Sequence, residues 1–288
     1  MSRPNLFKSL AIGGTTAWLA LFALLPFLLI VGVSVLTRDP ASFVAPDLSL
    51  EGYRSIADPG FLQIFLDSLW WAAVTAAACL VLGYPFAYGL AKLRTRRKNL
   101  FLLLIIIPFW TNSLIRTYAL IFIIKSQGLL NTSLLLLGLI SEPLEILYTD
   151  TAVLVGLIYT LLPFMILPLY SSIEKLDPCH LEAAKDLGAG RLRAFWEVTL
   201  PLTWPGILAG TMLTFLPALG MFYVPDVLGG AKSLLIGNFI KNQFLTARDW
   251  PTGSAASVVL TLIMALLLAF YSGSTKGTTP RQAEDLGA

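Results

Sequence analysis

Residues 176–202 read LDPCHLEAAKDLGAGRLRAFWEVTLPL, a charged stretch set between two long apolar runs. Asp177 suits an N-cap, Pro178 suits the first helical position, and Leu181, Ala184 and Leu187 recur at helical spacing up to Gly188, a C-terminal stop. That spacing predicts a first helix of about ten residues. After Ala189 and Gly190, the residues Leu192, Phe195, Trp196 and Thr199 recur at i, i+3, i+4 and i+7, which predicts a second helix ended by Pro201. Helices this short are marginal in isolation, so each must bury its apolar side in a groove. Ala183 and Ala184 permit close approach, and Glu182, Lys185 and Asp186 surround them to fix a docking angle. The stretch therefore reads as a protein-docking hairpin. The competing reading is an amphipathic hairpin lying on a bilayer, but such segments favour Lys and Arg on the polar face, and this one mixes both signs.

The flanks explain why a bilayer must be considered. The 288 residues are 56% hydrophobic and 13% charged, with a mean hydropathy of +0.76, whereas soluble domains carry about 25% charged residues. Crossing a hydrocarbon core of roughly 30 Å takes about 20 apolar residues in a helix. Six such runs stand out, near Leu10–Val35, Ile64–Leu90, Leu100–Ile124, Thr151–Ser172, Thr203–Val224 and Gly253–Tyr271. They lack the alternation of barrel strands, and helices satisfy their own backbone in lipid, so the expected fold class is an all-α membrane protein. The first run is too long for a signal-peptide h-region and is read as a retained span. One membrane domain over residues 1–271 accounts for nearly everything; SGSTKGTTPRQAEDLGA, 272–288, reads as a disordered polar tail.

Lys and Arg outside the spans set the orientation. With a cytoplasmic N-terminus, the inner segments hold Arg3, Lys8, Lys92, Arg94, Arg96, Arg97, Lys98, Lys175, Lys185, Arg191, Arg193, Lys276 and Arg281. The outer ones hold only Arg38, Arg54, Lys125, Lys232, Lys241 and Arg248. Both termini and the hairpin are then cytoplasmic. Cys79, inside a span, and Cys179, in a cytoplasmic loop, are not a disulfide pair. His180, the only histidine, has no neighbouring array of ligands, so no metal site is expected.

Two segments depart from plain spans. GLLNTSLLLLGLISEPLEIL, 128–147, has an apolar core at Leu134–Ile140 too short to cross, and predicts a short packed or interfacial helix. TFLPALGMFYVPD, 214–226, places Pro217 and Gly220 inside the fifth run and Pro225 with Asp226 at its outer end, so this span should kink or unwind. Irregular backbone at membrane depth faces protein or water, which makes the fifth span the leading candidate to line a path.

EAAKDLGAGRLRAFWEVTLP resembles the loop of bacterial ABC-importer permease subunits, whose pattern is Glu-Ala-Ala, three residues, Gly, nine residues, Ile, one residue, Leu-Pro. Glu182, Ala183, Ala184, Gly188, Leu200 and Pro201 match, with Val198 in the Ile position. The resemblance implies the type I importer permease architecture. It also implies that this loop, about 176–201, is a coupling helix seated in a cleft of an ATP-hydrolysing subunit, with Glu182, Ala183, Ala184, Asp186 and Gly188 at the contact. That ATPase must be a separate chain that carries the ATP and Mg2+: no G-x-x-x-x-G-K-[ST] is present, and GGAKS at 229–233 lacks the glycine spacing. No cofactor on this chain and no nucleic-acid partner are expected.

LVLGYPFAYGLAKL, PFWTNSLIRTYAL, LLPFMILPLYSSIEKLD, FYVPDVLGGAKSLLIGNFIKNQF and RDWPTGSAAS resemble the spermidine/putrescine branch of that family. What the resemblance implies is a heteromeric importer with a second homologous permease, two ATPase subunits and a periplasmic polyamine-binding protein. A polyamine path wants carboxylates, carbonyls and aromatic faces. Asp226, Tyr223 and Phe222 fit that chemistry, with Trp110, Asn112 and Tyr118 as an opposing wall. The plainer reading makes the aromatics an interfacial belt and Asp226 a loop cap. Arg116 lies at membrane depth, where an unpaired charge costs roughly 2.5–3.5 kcal/mol on insertion scales, and would repel a polycation. It is either a structural or a gating charge. An importer permease for another small solute stays open; a gradient-driven carrier has no use for a docking hairpin. An intramembrane enzyme would need paired catalytic groups at membrane depth that are not found here.

Overall fold

A computed structural model describes residues 4–40, 42–230 and 234–275. Arg3, Lys276, Arg281, residues 231–233 of GGAKS and residues 276–288 of the polar tail lie outside the described residues. In chain order the elements are α1 (Pro4–Leu19), a π turn (Ala20–Leu24), α2 (Leu25–Val33), β1 (Leu36–Thr37), β2 (Ala45–Leu48), α3 (Glu51–Ile56), α4 (Pro59–Ala91) and α5 (Thr95–Ile106). A 3-10 turn (Ile107–Trp110) leads to α6 (Ser113–Ile124), α7 (Leu129–Leu136), α8 (Asp150–Glu174), α9 (Pro178–Asp186) and α10 (Arg191–Ala194). A second π turn (Phe195–Thr199), α11 (Leu200–Leu202), α12 (Trp204–Gly220), a third π turn (Pro225–Gly229), α13 (Ile236–Leu245) and α14 (Trp250–Thr275) complete it.

Five of these helical stretches are long and apolar enough to span a bilayer, and a sixth arises if Arg191–Leu202 and Trp204–Gly220 are one broken span. The chain divides into two compact units, Met1–Gln63 with Phe239–Ala265 and Ile64–Asn238 with Leu266–Ala288. In the first unit, the α1–α2 stretch exposes Trp18, Leu21, Phe22, Leu25 and Leu29, the pattern of a helix solvated by lipid. After it, β1 and β2 pair antiparallel with Leu36 opposite Leu48. Arg38 Nη2 donates to the Ala247 carbonyl at 2.7 Å and the Phe43 ring stacks on Trp250 at 5.3 Å, tying this hairpin to the start of α14.

The second unit is built on α4, α8 and α12. Leu161, Met165, Leu169 and Ile173 recur along one face of α8 and are buried with Ala72, Cys79, Tyr84 and Ala87 of α4 and Ile207, Ala218 and Leu219 of α12. A second cluster joins Ile124 of α6, Ala152, Val153 and Leu157 of α8, and Val224 and Leu228 beside the third π turn. Asn131, fully buried, donates to the carbonyls of Lys125 and Leu144 at 3.2 and 2.9 Å and accepts from Leu144 N at 2.8 Å, which sews the segment between α6 and α8 together.

Several expected boundaries move. The run Leu100–Ile124 is not one helix: Pro108 falls in the 3-10 turn, Thr111 is extended, and Asn112 caps a new helix by accepting from Leu114 N at 2.8 Å. The apolar stretch that meets the length of a span is Ser113–Leu136. The expected short helix at Leu134–Ile140 lies earlier, as α7, and is followed by Gly138 at φ +69°. In the fifth run, α12 runs through Pro217 and ends at Gly220, with Met221 extended, while a 65° bend falls before it at Thr203. Pro201 does not end the second hairpin helix. The preceding π turn replaces the i−4 pattern, with Leu200 N donating to Phe195 O, and Pro201 enters α11 where its missing N–H is least needed. The helix α14 continues to Thr275, so 272–275, the first residues of the expected disordered tail, are helical.

Candidate functional site

The hairpin forms as its sequence dictates. Asp177 Oδ1 accepts from Cys179 N at 2.9 Å, and Pro178 opens α9. At the other end Ala189 N donates to Ala184 O at 2.9 Å and Gly188 N to Lys185 O at 2.8 Å, with Gly188 at φ +80°. This pair of bonds is a Schellman motif, and the left-handed residue it requires is the glycine.

Glu182, Ala183, Asp186 and Gly188 are exposed, and Ala184 is half-buried. Leu187 is 89% exposed, Leu192 78% and Trp196 64%. Leu187 is the C-cap residue of α9, and a π turn interrupts the second helix at Phe195–Thr199. There Ala194 and Thr199, five residues apart, point inward, with Thr199 Oγ1 donating to Ala194 O at 3.4 Å. The hairpin thus presents large apolar side chains beside Glu182, Lys185 and Asp186, and none of the three is buried within the chain.

Behind that surface the second helix grips α4. The Phe195 ring meets Tyr84 edge-on at 5.5 Å and Tyr88 at 6.3 Å, and Lys92 Nζ lies 3.9 Å over the Tyr88 ring. At the 65° bend Thr203 Oγ1 donates to Thr199 O at 2.8 Å and lies 2.9 Å from Tyr84 Oη, both groups buried. The second hairpin helix is thus joined to α4 and to the start of α12 by buried polar and aromatic contacts.

The unwound end of α12 is the second candidate site. Gly237 at the start of α13 presses against it: a Cβ there would lie 2.7 Å from Gly220 O. The neighbouring Asn238, buried, donates through Nδ2 to Phe222 O at 2.9 Å and to Asp226 Oδ1 at 2.6 Å, and its own Oδ1 is buried with no hydrogen-bond partner among the described residues. Asp226 is half-buried on the third π turn. Phe222 is exposed and meets Tyr223 edge-on at 6.1 Å, while Tyr223 packs on the Val224 and Leu228 cluster.

The expected opposing wall is only partly assembled. Trp110 is 82% exposed, Tyr118 is exposed, and neither ring meets another ring among the described residues. Asn112 is the N-cap of α6. Arg116 is half-buried, and its Nε is buried without a hydrogen-bond partner among the described residues. What brings α6 beside the π turn is apolar: Leu120, Ile121 and Ile124 share a cluster with Tyr223, Val224 and Leu228. Asn238, Tyr84 and Thr203 escaped the sequence reading. Their only signal there is a polar group placed within a long apolar run, which does not reveal its partner.

Comparison with known proteins gives the family and the fold. The family model of the binding-protein-dependent transport system inner membrane component matches residues 80–283. The chain is 52% identical over 271 residues to the spermidine/putrescine transport system permease protein PotB of Salmonella typhimurium (strain SL1344), covering 94% of each chain. It is 55% identical over 254 residues to the protein of the same name from Escherichia coli (strain K12), covering 88% of this chain and 92% of that one. Among solved structures it resembles a bacterial ABC transporter involved in the import of the acidic polysaccharide alginate, with a TM-score of 0.75 over 96% of this chain and 99% of the other. At 15% identity that likeness speaks to the fold, which is the type I importer permease fold. A multi-span helical chain with a protruding Glu-Ala-Ala hairpin, matched over residues 80–283, belongs to the family of inner-membrane components of binding-protein-dependent transport systems.

Proposed function

We propose that this chain is the permease subunit of an ATP-driven importer of polyamines, spermidine or putrescine, and that its 176–201 hairpin couples it to a separate ATPase. It is a transport subunit and not itself an enzyme. The observation that carries the coupling is the exposed hairpin, whose Leu187, Leu192 and Trp196 stand out of the chain around Glu182 and Asp186. Leaving that much apolar surface open suits a knob that sits in another protein. Glu182, Ala183, Ala184, Asp186 and Gly188 form the contact, and ATP with Mg2+ is bound by the ATPase alone.

The near-full-length likeness to spermidine/putrescine permeases supports the choice of cargo. In this reading the working assembly holds two ATPase subunits, a second homologous permease and a periplasmic polyamine-binding protein, with residues 1–271 as one membrane domain. Both termini and the hairpin face the cytoplasm, as the excess of Lys and Arg on that side favours. Asp226, Phe222 and Tyr223 attract ammonium groups just past the end of α12, through charge and ring faces, while Trp110, Asn112 and Tyr118 line the approach. Arg116 acts as a structural or gating charge.

A permease for a different small solute is the second reading, and the Nε of Arg116, buried without a partner among the described residues, favours it. Purified complex reconstituted with the binding protein decides between them. ATP hydrolysis stimulated by spermidine or putrescine supports the polyamine reading; stimulation by neither, with the ATPase still attached, overturns it and keeps the coupling.

A further inference from the structure

We propose that the α4–α5 hairpin holds an anionic phospholipid, with an acyl chain in the groove between the two helices and the headgroup on the arginines at the turn. Pro85, Phe86, Gly89, Leu90, Leu93 and Phe101 line a groove of about 340 Å3, within the roughly 300–1,000 Å3 of ordinary ligand sites. Every lining residue is apolar, or is a glycine that opens the wall. A Cβ on Gly89 would meet nothing within 4 Å. The Phe86 and Phe101 rings face each other edge-on at 6.5 Å across the two helices.

The charge at the groove's end selects the occupant. The chain turns from α4 to α5 through residues 92–94 and carries Lys92, Arg94, Arg96, Arg97 and Lys98 there. Two of these cations are engaged: Lys92 lies over the Tyr88 ring and Lys98 Nζ is 2.7 Å from Glu174 Oε1. Arg94, Arg96 and Arg97 are exposed, and their guanidinium groups have no ion-pair partner among the described residues. They also crowd the first turn of α5, which has no acidic residue and no side-chain cap. Positive side chains oppose the helix dipole at that end, and a phosphate would be held by the free amides as well as by the guanidinium groups. A groove for hydrocarbon ending in unneutralised cations complements a lipid with a negative headgroup. A neutral lipid or an apolar protein segment would leave the cations unmatched. The proposed orientation enters only in assigning this lipid to the cytoplasmic leaflet.

The test uses the assembled transporter, extracted from the membrane in mild detergent, with the lipids it retains measured by mass spectrometry. Wild-type complex should keep phosphatidylglycerol or cardiolipin through washing. Gly89→Leu, which fills the groove from an unobstructed position, should lower the retained anionic lipid several-fold, and the pair Arg96→Gln with Arg97→Gln should lower it by about twenty-five-fold, since each cation near a headgroup contributes about fivefold. Wild-type complex without anionic lipid, or variants that retain as much of it, would overturn the site. Loss of lipid in Gly89→Leu alone, with neutral lipid lost equally, would overturn its anionic character. The amount of ATPase in the same preparations reports separately on the coupling hairpin.

Discussion

Tyr84 of α4 and Thr203 at the bend before α12 are joined by a buried hydrogen bond of 2.9 Å. The Thr203 hydroxyl already donates to the Thr199 carbonyl at 2.8 Å, so Tyr84 is the donor to Thr203. The contact fixes the angle at which the hairpin's second helix leaves the span. Tyr84→Phe removes only that donor and should lower stability by about 1 kcal/mol or less, as for most hydrogen bonds between membrane helices. Its larger expected effect is on coupling: more ATP hydrolysed per solute carried. Parallel measurement of ATPase rate and uptake in proteoliposomes checks this, and an unchanged ratio would reduce the bond to a packing contact.

The hairpin surface makes a sharper prediction. Glu182 is exposed on α9, away from the chain's own core, so its reversal tests docking and not folding. Glu182→Arg should weaken ATPase association by about 2 kcal/mol or more, roughly thirtyfold, the scale of losing one partner of an interfacial charge pair. Binding of solute to the periplasmic protein should be untouched. Gly188→Val acts differently: at φ +80° a β-branched residue costs about 1–2 kcal/mol or more and unravels the end of α9. Co-purification of the ATPase with each variant measures both effects.

How far the sequence could be read differed by element for physical reasons. The hairpin was legible down to its cap and its stop, because Asp177 and Gly188 act locally and their residue types announce the geometry. The spans were legible as composition, but Pro108 and Asn112 divide the third run through local backbone chemistry that hydrophobicity does not register. The π turn before Pro201 likewise left no mark on the helical spacing of Leu192, Phe195, Trp196 and Thr199. Asn238 was invisible as a partner of Asp226, since they stand twelve positions apart in the sequence.

That pairing gives the next prediction. Asn238 Nδ2 bridges Asp226 Oδ1 and the Phe222 carbonyl, which holds the carboxylate at the unwound end of α12. Asp226→Asn keeps the shape and removes the charge, so spermidine uptake should fall by about tenfold, or 1.4 kcal/mol, with the complex still assembled. Asn238→Ala leaves the charge and removes this one bond to it, and should weaken uptake less while lowering thermal stability. Radiolabelled uptake beside size-exclusion profiles separates the two, and full activity in Asp226→Asn would leave Asp226 as a cap of the π turn.

The packing of α12 on α8 in the second unit depends on two glycines one turn apart. A Cβ on Gly206 would lie 2.4 Å from Ser172 Cβ and 3.0 Å from Pro168 O, and one on Gly210 would lie 2.7 Å from Met165 Sδ and 3.2 Å from Met165 O. The two therefore let α12 approach α8 at backbone distance, as small residues do between membrane helices, where packing replaces the hydrophobic drive. Relief is unequal. The Met165 thioether can swing aside from Gly210, but the Ser172 Cβ is fixed to the α8 backbone, so Gly206→Ala forces the helices apart. The expected cost is about 1–3 kcal/mol for Gly206→Ala, as for overpacked cores, and less for Gly210→Ala. Gly13→Ala, with nothing within 4 Å of its Cβ in α1, should be neutral or stabilising through helix propensity. Melting curves of the purified complex, followed by tryptophan fluorescence, should rank the three in that order; Gly206→Ala as stable as Gly13→Ala would mean that the α8–α12 contact is looser than these distances require.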